Sequence, residues 1–158
     1  MTASTSQPSI WQQIFSKNML LCVYTGFCSG LPYFVLIQLM QAWFTKAGLD
    51  IKTVSAFTLT SLPYTWKFLW AALLDRYSPP FLGLRRSWIF ISQLGLLAIL
   101  FSFGYLNPAE NLKIIVLLSI ALAFLSATQD IVVDAFRREI LTDNELGLGN
   151  SIHVNAYR

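Results

Sequence analysis

Four long apolar runs separated by short polar connections constrain this chain more than any other feature. They cover about residues 19–44, 53–74, 88–106 and 112–136, and a fifth run begins at about residue 151. A helix needs about 20 apolar residues to cross a bilayer. Since only helices and closed barrels satisfy their backbone hydrogen bonds in lipid, the pattern predicts an all-α membrane protein with four spans plus the start of a fifth.

The composition supports a membrane protein and excludes several other classes. Hydrophobic residues make up 55% of the chain and charged residues only 12%, against about 25% charged residues in soluble domains. The net charge of +3 comes from basic residues placed singly or in pairs between the apolar runs, so we expect lipid rather than nucleic acid as the partner. Cys22, Cys28 and the single His153 lack metal-ligand spacing, so we expect no cofactor.

The polar segment of residues 1–18 predicts a cytoplasmic tail. The apolar run after Lys17 resembles a signal peptide, but it is too long and has no clear small-x-small cleavage site before Pro32. We therefore interpret it as a retained first span.

The basic residues predict the orientation of the spans. With both ends of the four-span unit inside, six basic residues face the cytoplasm and three face out. The inner set is Lys17, Arg76, Arg85, Arg86, Arg137 and Arg138, and the outer set is Lys46, Lys52 and Lys113. This orientation predicts that Gly48 and Pro108 lie outside, whereas Pro80 and Asp143 lie inside.

Two carboxylates interrupt the fourth apolar run. Asp130 and Asp134 are four residues apart and therefore share a helix face, with Ser126 one turn earlier. An ionisable side chain within a span is costly and is a functional-site hypothesis by default. The alternative is that both acids lie near the cytoplasmic end and snorkel or pair locally, Asp134 with Arg138.

Lys67 is the matching basic residue in the second run. It precedes Asp75 by eight residues, about 12 Å along a helix, which is near the limit of what a lysine stem can snorkel. Asp130 precedes Arg137 by seven residues, so the two charges fall at nearly the same depth. We predict that they pair and that protonation of Asp130 breaks the pair. One alternative is that the Lys67–Asp130 ion pair is purely structural. Another is that Asp134, paired with Arg85 or Arg86, is the group that responds to the proton.

Small and helix-breaking residues predict how the helices pack. Small residues recur every four positions in two runs, which favours close approach of other helices. The stripes are Cys22, Gly26 and Gly30 in the first run and Ser119, Ala123 and Ala127 in the fourth. Pro32 predicts a local kink in the first run, and Pro63 interrupts the second. Gln38 and Gln41 place amides in the outer half of the first span, where they line a cavity or serve as packing and interfacial groups.

Four segments together resemble the AmpG-type muropeptide permeases of the major facilitator superfamily. They are GFCSGLPY, KFLWAALLDRYSPPFLGLRRSW, SATQDIVVDAF and the closing NAYR, and the resemblance extends over about residues 17–158. It implies a transporter and not an enzyme. It also implies the N-terminal bundle of that fold, and proton-driven import of anhydromuropeptides (GlcNAc–anhydroMurNAc, with or without peptide) from periplasm to cytoplasm. Such transport crosses the bacterial inner membrane and serves peptidoglycan recycling.

The resemblance also assigns residues. Asp75, Arg76, Gly83, Arg85 and Arg86 are similar to the superfamily loop motif that latches the two halves of a transporter and meets an acid in span four, here Asp134. The family's cavity positions correspond to Gly30, Ala127, Gln129 and Asp130, and its KF-W motif places a basic residue at Lys67.

One departure from the family concerns length. These permeases have twelve or more spans in two halves around a central site, whereas this sequence reaches only the start of span five. We therefore expect an N-terminal portion that lacks the C-terminal half and does not transport alone.

Three other functions remain as alternatives. Acetyl-CoA transporters share a TQD-like motif and a similar KF-W segment. The second alternative is a membrane fragment or anchor that does not transport. The third, an intramembrane aspartyl protease, is disfavoured because such enzymes place their two catalytic acids on facing helices, whereas Asp130 and Asp134 share one helix. In addition, the GLGN stretch has Asn150 where the glycine-rich motif of these proteases needs an aspartate.

Overall fold

A computed structural model describes residues 10–77 and 83–158, and within those ranges every regular element is helical. Two short pieces differ from α-helix, a π-helical segment at Val35–Leu39 and a 3₁₀ segment at Thr58–Ser61. The α-helices are α1 Ile10–Ile14, α2 Lys17–Phe34, α3 Met40–Lys46, α4 Ile51–Phe57, α5 Leu62–Trp66, α6 Phe68–Arg76, α7 Leu84–Phe103, α8 Pro108–Ile140 and α9 Leu146–Tyr157.

Three helical segments among the described residues are long and apolar enough to cross a membrane: Lys17–Lys46, Arg85–Phe103 and Pro108–Ile140. Because there is more than one such segment and all are helical, the chain is a multi-pass, all-α membrane protein. The predicted second span is different, because its helical pieces are each too short to cross a bilayer alone.

The first long segment joins α2, the π-helical turn and α3 without a break. Ser16 caps its start, because its Oγ accepts a hydrogen bond of 3.3 Å from the Met19 backbone N–H. The π-helical turn begins three residues after Pro32, and the Val35 N–H is shared between the carbonyls of Leu31 and Pro32. The distortion predicted at the proline is thus a widened turn in a continuous helix.

The second segment is broken twice, at Thr58–Ser61 and at Lys67. Thr60 and Ser61 donate their hydroxyls to carbonyls three residues earlier, each at 2.7 Å, and such local bonds compete with helical ones. Pro63 lies in the first turn of α5, where its missing N–H costs nothing. The hydroxyl-rich sequence and the proline together explain the interruption.

Helix α8 is the centre of the structure. Its 33 residues span about 50 Å, more than the roughly 30 Å of bilayer hydrocarbon. It begins at Pro108, where the Asn107 side chain accepts from the Ala109 N–H, and it continues past the predicted end at residue 136. The predicted packing stripe is confirmed, since Ser119, Ala123 and Ala127 are fully buried.

Helix α9 reverses direction after α8 and lies against α2. It begins at Leu146, five residues before the predicted start of the fifth run. In the turn before it, the Glu145 carboxylate accepts from the backbone N–H of Thr142 (3.1 Å) and from its hydroxyl (2.9 Å). These bonds lower the pKa of Glu145.

The small-residue stripe of α2 is what lets α9 approach, as the sequence predicted. A Cβ placed on Gly26 would lie 2.5 Å from the His153 carbonyl oxygen, and one on Gly30 would collide with the carbonyl of Tyr157. The Sγ of Cys22, from the same stripe, faces Gly149 of α9. Glycine is therefore required at the α2–α9 contact because backbone meets backbone there.

Candidate functional site

The two charges predicted at equal depth lie next to each other. The Lys67 Nζ is 3.8 Å from the Asp130 Oδ2. Asp130 is only 8% exposed, whereas the Lys67 side chain is 38% exposed. The pair therefore has one buried member and one member that reaches the surface of the bundle.

Trp70 sets the register between the second segment and α8. Its Nε1 donates to the Thr128 Oγ1 at 3.1 Å, and its ring packs on Phe124 with a centroid separation of 4.7 Å. Trp70 is one turn after Lys67, and Thr128 is two residues before Asp130. This contact brings Lys67 beside Asp130.

The second carboxylate oxygen of Asp130 has no hydrogen-bond partner among the described residues. Ser29 of α2 is its polar neighbour, but the two side chains do not meet hydrogen-bond geometry. Burial disfavours a charged carboxylate and a nearby ammonium favours it, so the two effects on Asp130 oppose each other.

Gln129 and Ala127 do not join this pair. Successive residues of a helix point about 100° apart, and Gln129 faces α7, where its Nε2 donates to the Gln93 Oε1 at 2.9 Å. It lines a cavity of about 280 Å³ together with Arg86 and Tyr24. Ala127 is fully buried where α8 packs against neighbouring helices.

The other predicted cavity residues of the first span occupy three different environments. Gln41 donates to the Thr58 Oγ1 at 3.4 Å and so links α3 to the 3₁₀ segment, while Gln38 is exposed. Gly30 lies in the α2–α9 contact, next to a cavity of about 480 Å³ that Tyr157 also lines. Among the described residues, no group of three or more His, Cys, Asp or Glu side chains could hold a metal ion.

A family comparison places the chain among transporters. The family model described as Acetyl-coenzyme A transporter 1 (Acatn) matches residues 18–155. The chain belongs to the Acatn family. This match covers all of the helices from α2 to α8 and most of α9, including both members of the charge pair.

Curated relatives of this Acatn family member confirm the resemblance to AmpG-type permeases. It is 54% identical to a Haemophilus influenzae protein of uncharacterised function over 95% of the chain and 35% of that protein. It is 42% identical to the anhydromuropeptide permease of Escherichia coli over 94% of the chain and 30% of the permease. It is 32% identical to a Rickettsia felis transporter named AmpG 4, over 92% of the chain and 36% of that transporter. The chain thus spans about a third of the length of these relatives, and the E. coli and R. felis proteins are named as a permease and a transporter.

The loop motif of this Acatn family member forms a second charged cluster at the predicted cytoplasmic end. The Arg85 guanidinium binds the Asp75 carboxylate at 2.6 Å and the Glu139 carboxylate at 2.9 Å. Arg76 and Arg86 are exposed. Gly83 has a φ of 86°, a left-handed conformation that favours glycine just before α7. The cluster ties α6, α7 and α8 together.

The structure corrects the partner that the sequence assigned to this motif. The fourth-helix acid that meets Arg85 is Glu139, not Asp134. Asp134 instead binds Arg137 at 3.0 Å, and not Arg138 as its spacing suggested. Glu139 lies more than a turn further along α8, which runs past the predicted end of the span and so reaches the start of α7. The run of charges after residue 136 was the signal for a longer helix.

We expect a double-mutant cycle to show that Arg85 pairs with Glu139 and not with Asp134. Arg85→Ala combined with Glu139→Ala should show a coupling energy of about 0.5–1 kcal/mol, because these partners are partly exposed. Arg85→Ala combined with Asp134→Ala is the matched control and should show additive effects. The measurement is thermal unfolding of the purified protein in detergent. Coupling to Asp134 instead of Glu139 would contradict the observed pairing.

Proposed function

We propose that this chain is the N-terminal part of a transporter that imports anhydromuropeptides across the bacterial inner membrane. The observation that carries the proposal is the 42% identity, over 94% of the chain, to the E. coli anhydromuropeptide permease. In this proposal the four helical runs belong to one half of a major facilitator fold, and further spans complete the central cavity.

The exposure of Lys67 supports a water-filled path next to the charge pair. A lysine with 38% of its side chain exposed cannot face lipid at the depth proposed here without a large cost. The face of the bundle that carries Lys67 therefore lines the transport path. The broken second segment, residues 51–76, lies across the bilayer at this face, where neighbouring helices can satisfy interrupted backbone.

The pair supports coupling to the proton-motive force. A proton that enters from the periplasm binds the Asp130 carboxylate, whose neutral form no longer attracts Lys67. The freed ammonium turns toward the aqueous path and the cavity changes its access. Release of the proton to the cytoplasm restores the carboxylate and the pair, so one full cycle carries one proton inward.

The proposed orientation places the N-terminus in the cytoplasm and can be tested by cysteine labelling. Gly48→Cys and Asn107→Cys should react with an impermeant maleimide in intact cells, whereas Asp143→Cys should react only after permeabilisation, because basic residues favour the cytoplasmic side. Native Cys22 and Cys28 are first replaced by serine. Pro80, also predicted inside, lies outside the described residues. Labelling of Asp143→Cys in intact cells would contradict this orientation.

Acetyl-CoA transport is the second candidate, and the description of the matching family model favours it. The uptake assay that tests the proposed function decides between the two, because it offers both substrates to the same protein. Acetyl-CoA carries a nucleotide and several phosphates, whereas the anhydromuropeptide core is a disaccharide.

The proposed function predicts restored recycling in a strain that lacks its own muropeptide permease. The full-length protein is expressed there, and intracellular uptake of radiolabelled GlcNAc–anhydroMurNAc is measured with and without a protonophore. We expect uptake that collapses with the protonophore, and no uptake of acetyl-CoA into vesicles from the same cells. A well-expressed, membrane-inserted protein that moves acetyl-CoA and not the disaccharide would contradict the proposal.

A further inference from the structure

Three tyrosines from three helical segments meet beside the charge pair. The rings of Tyr33 (α2) and Tyr64 (α5) meet edge to face, with centroids 5.1 Å apart. The ring of Tyr157 (α9) lies tilted by 35° against Tyr33, with centroids 6.2 Å apart. We call these three residues the tyrosine cluster.

Unpaired polar atoms lie around the cluster. The buried hydroxyls of Tyr64 and Ser126 have no hydrogen-bond partner among the described residues, nor does one oxygen of Asp130. Ser126 neighbours Tyr64 without reaching hydrogen-bond geometry. Buried polar atoms are nearly always paired in folded proteins, so a group of them at one place calls for an external partner.

The cluster lies close to Asp130, whose charge acts on the hydroxyls of Tyr64 and Tyr157. Tyr33 is 37% exposed. Exposed side chains change rotamer quickly, so the Tyr33 ring that packs on Tyr64 can turn.

We propose that the tyrosine cluster is the subsite that binds a sugar ring of the substrate, a proposal that rests on the proposed function. The apolar C–H face of a pyranose packs on the Tyr33 ring. The Tyr64 hydroxyl and the free oxygen of Asp130 bond the sugar hydroxyls or its acetamido N–H. Lys67 supplies a cation for the carboxylate of the muramyl ring. An aromatic platform with a few convergent polar groups is the composition of a specific small-ligand pocket.

The Tyr64 hydroxyl distinguishes this role from packing. A tyrosine used only for packing would be better as phenylalanine, because its buried hydroxyl is unpaired and costs stability. Tyr64→Phe should therefore leave the thermal midpoint of the ligand-free protein unchanged or raise it. If the hydroxyl binds the sugar, the same change weakens binding.

The test measures KM for uptake of peptide-free GlcNAc–anhydroMurNAc by the full-length protein in proteoliposomes. We expect KM to rise roughly three- to tenfold in Tyr64→Phe and in Tyr33→Ala. Tyr33→Phe keeps the ring and should stay within about twofold of the unsubstituted protein. Tyr105→Ala, at the exposed turn after α7, is the matched control and should also stay within about twofold.

Two results would overturn the assignment. One is an unchanged KM in Tyr64→Phe together with an equal or higher thermal midpoint. The other is competition by acetyl-CoA that Tyr33→Ala relieves, which would assign the ring to adenine. Absence of disaccharide uptake by the unsubstituted protein would instead contradict the proposed function and the subsite with it.

Discussion

Asp130→Ala in the full-length protein is expected to abolish disaccharide uptake and to lower the amount of folded protein. The change leaves the Lys67 ammonium without its partner, 3.8 Å away in the native structure. Removing one member of a fully buried pair costs about 3–5 kcal/mol, and an exposed pair is worth about 1 kcal/mol or less. Because Lys67 is partly exposed, we expect a loss between these limits, measured by thermal unfolding in detergent.

The partner of Asp130 is identified by combining changes. The swap Lys67→Asp with Asp130→Lys should recover folding, although each single change cripples it. In a cycle of alanine changes at the same two positions, the second change should cost less than it does alone. Simple addition of the two alanine effects would show that these residues are not partners.

Gly30→Ala is expected to have the next largest effect. The new methyl group would collide with the Tyr157 carbonyl, so α9 must move away from α2. Overpacking of this kind costs about 1–3 kcal/mol, and the displacement also separates Tyr157 from Tyr33. We expect a lower thermal midpoint and less uptake.

The matched control is Gly147→Ala in α9. An added Cβ there meets no atom within 4 Å, and alanine has the higher helix propensity. This variant should be neutral or slightly more stable. Equal losses in both variants would show that the glycine at position 30 is not needed for close helix contact.

The sequence revealed the charge pair because depth along a helix can be counted. Residue counts from Lys67 to Asp75 and from Asp130 to Arg137 placed both charges in one layer, and the structure brings them together. The same counting revealed the small-residue stripe of α2 but not its partner, because α9 depends on a turn at residues 141–145.

Other features depended on geometry that spacing does not encode. Asp134 was a reasonable partner for Arg85 if α8 ended at residue 136, but the helix continues and presents Glu139 instead. The tyrosine cluster was missed because its members come from three segments, and no local pattern connects Tyr33, Tyr64 and Tyr157. The break at Thr58–Ser61 arises from hydroxyls bonding their own backbone, which a hydropathy pattern does not register.

Proton movement during transport tests the central proposal most directly. The full-length protein is reconstituted right side out, and a pH dye follows the external medium as GlcNAc–anhydroMurNAc is added without a proton gradient. Downhill entry of the disaccharide should make the medium more alkaline, because each substrate takes a proton inward. The double variant Lys67→Gln with Asp130→Asn keeps no unpaired charge at the site, so it should still allow exchange of labelled disaccharide when the concentration is raised to offset the weaker binding expected without Lys67 and Asp130.

That variant should show no pH change during exchange or entry. Alkalinisation equal to that of the unsubstituted protein, at equal disaccharide flux, would contradict the role of Lys67 and Asp130 in proton coupling.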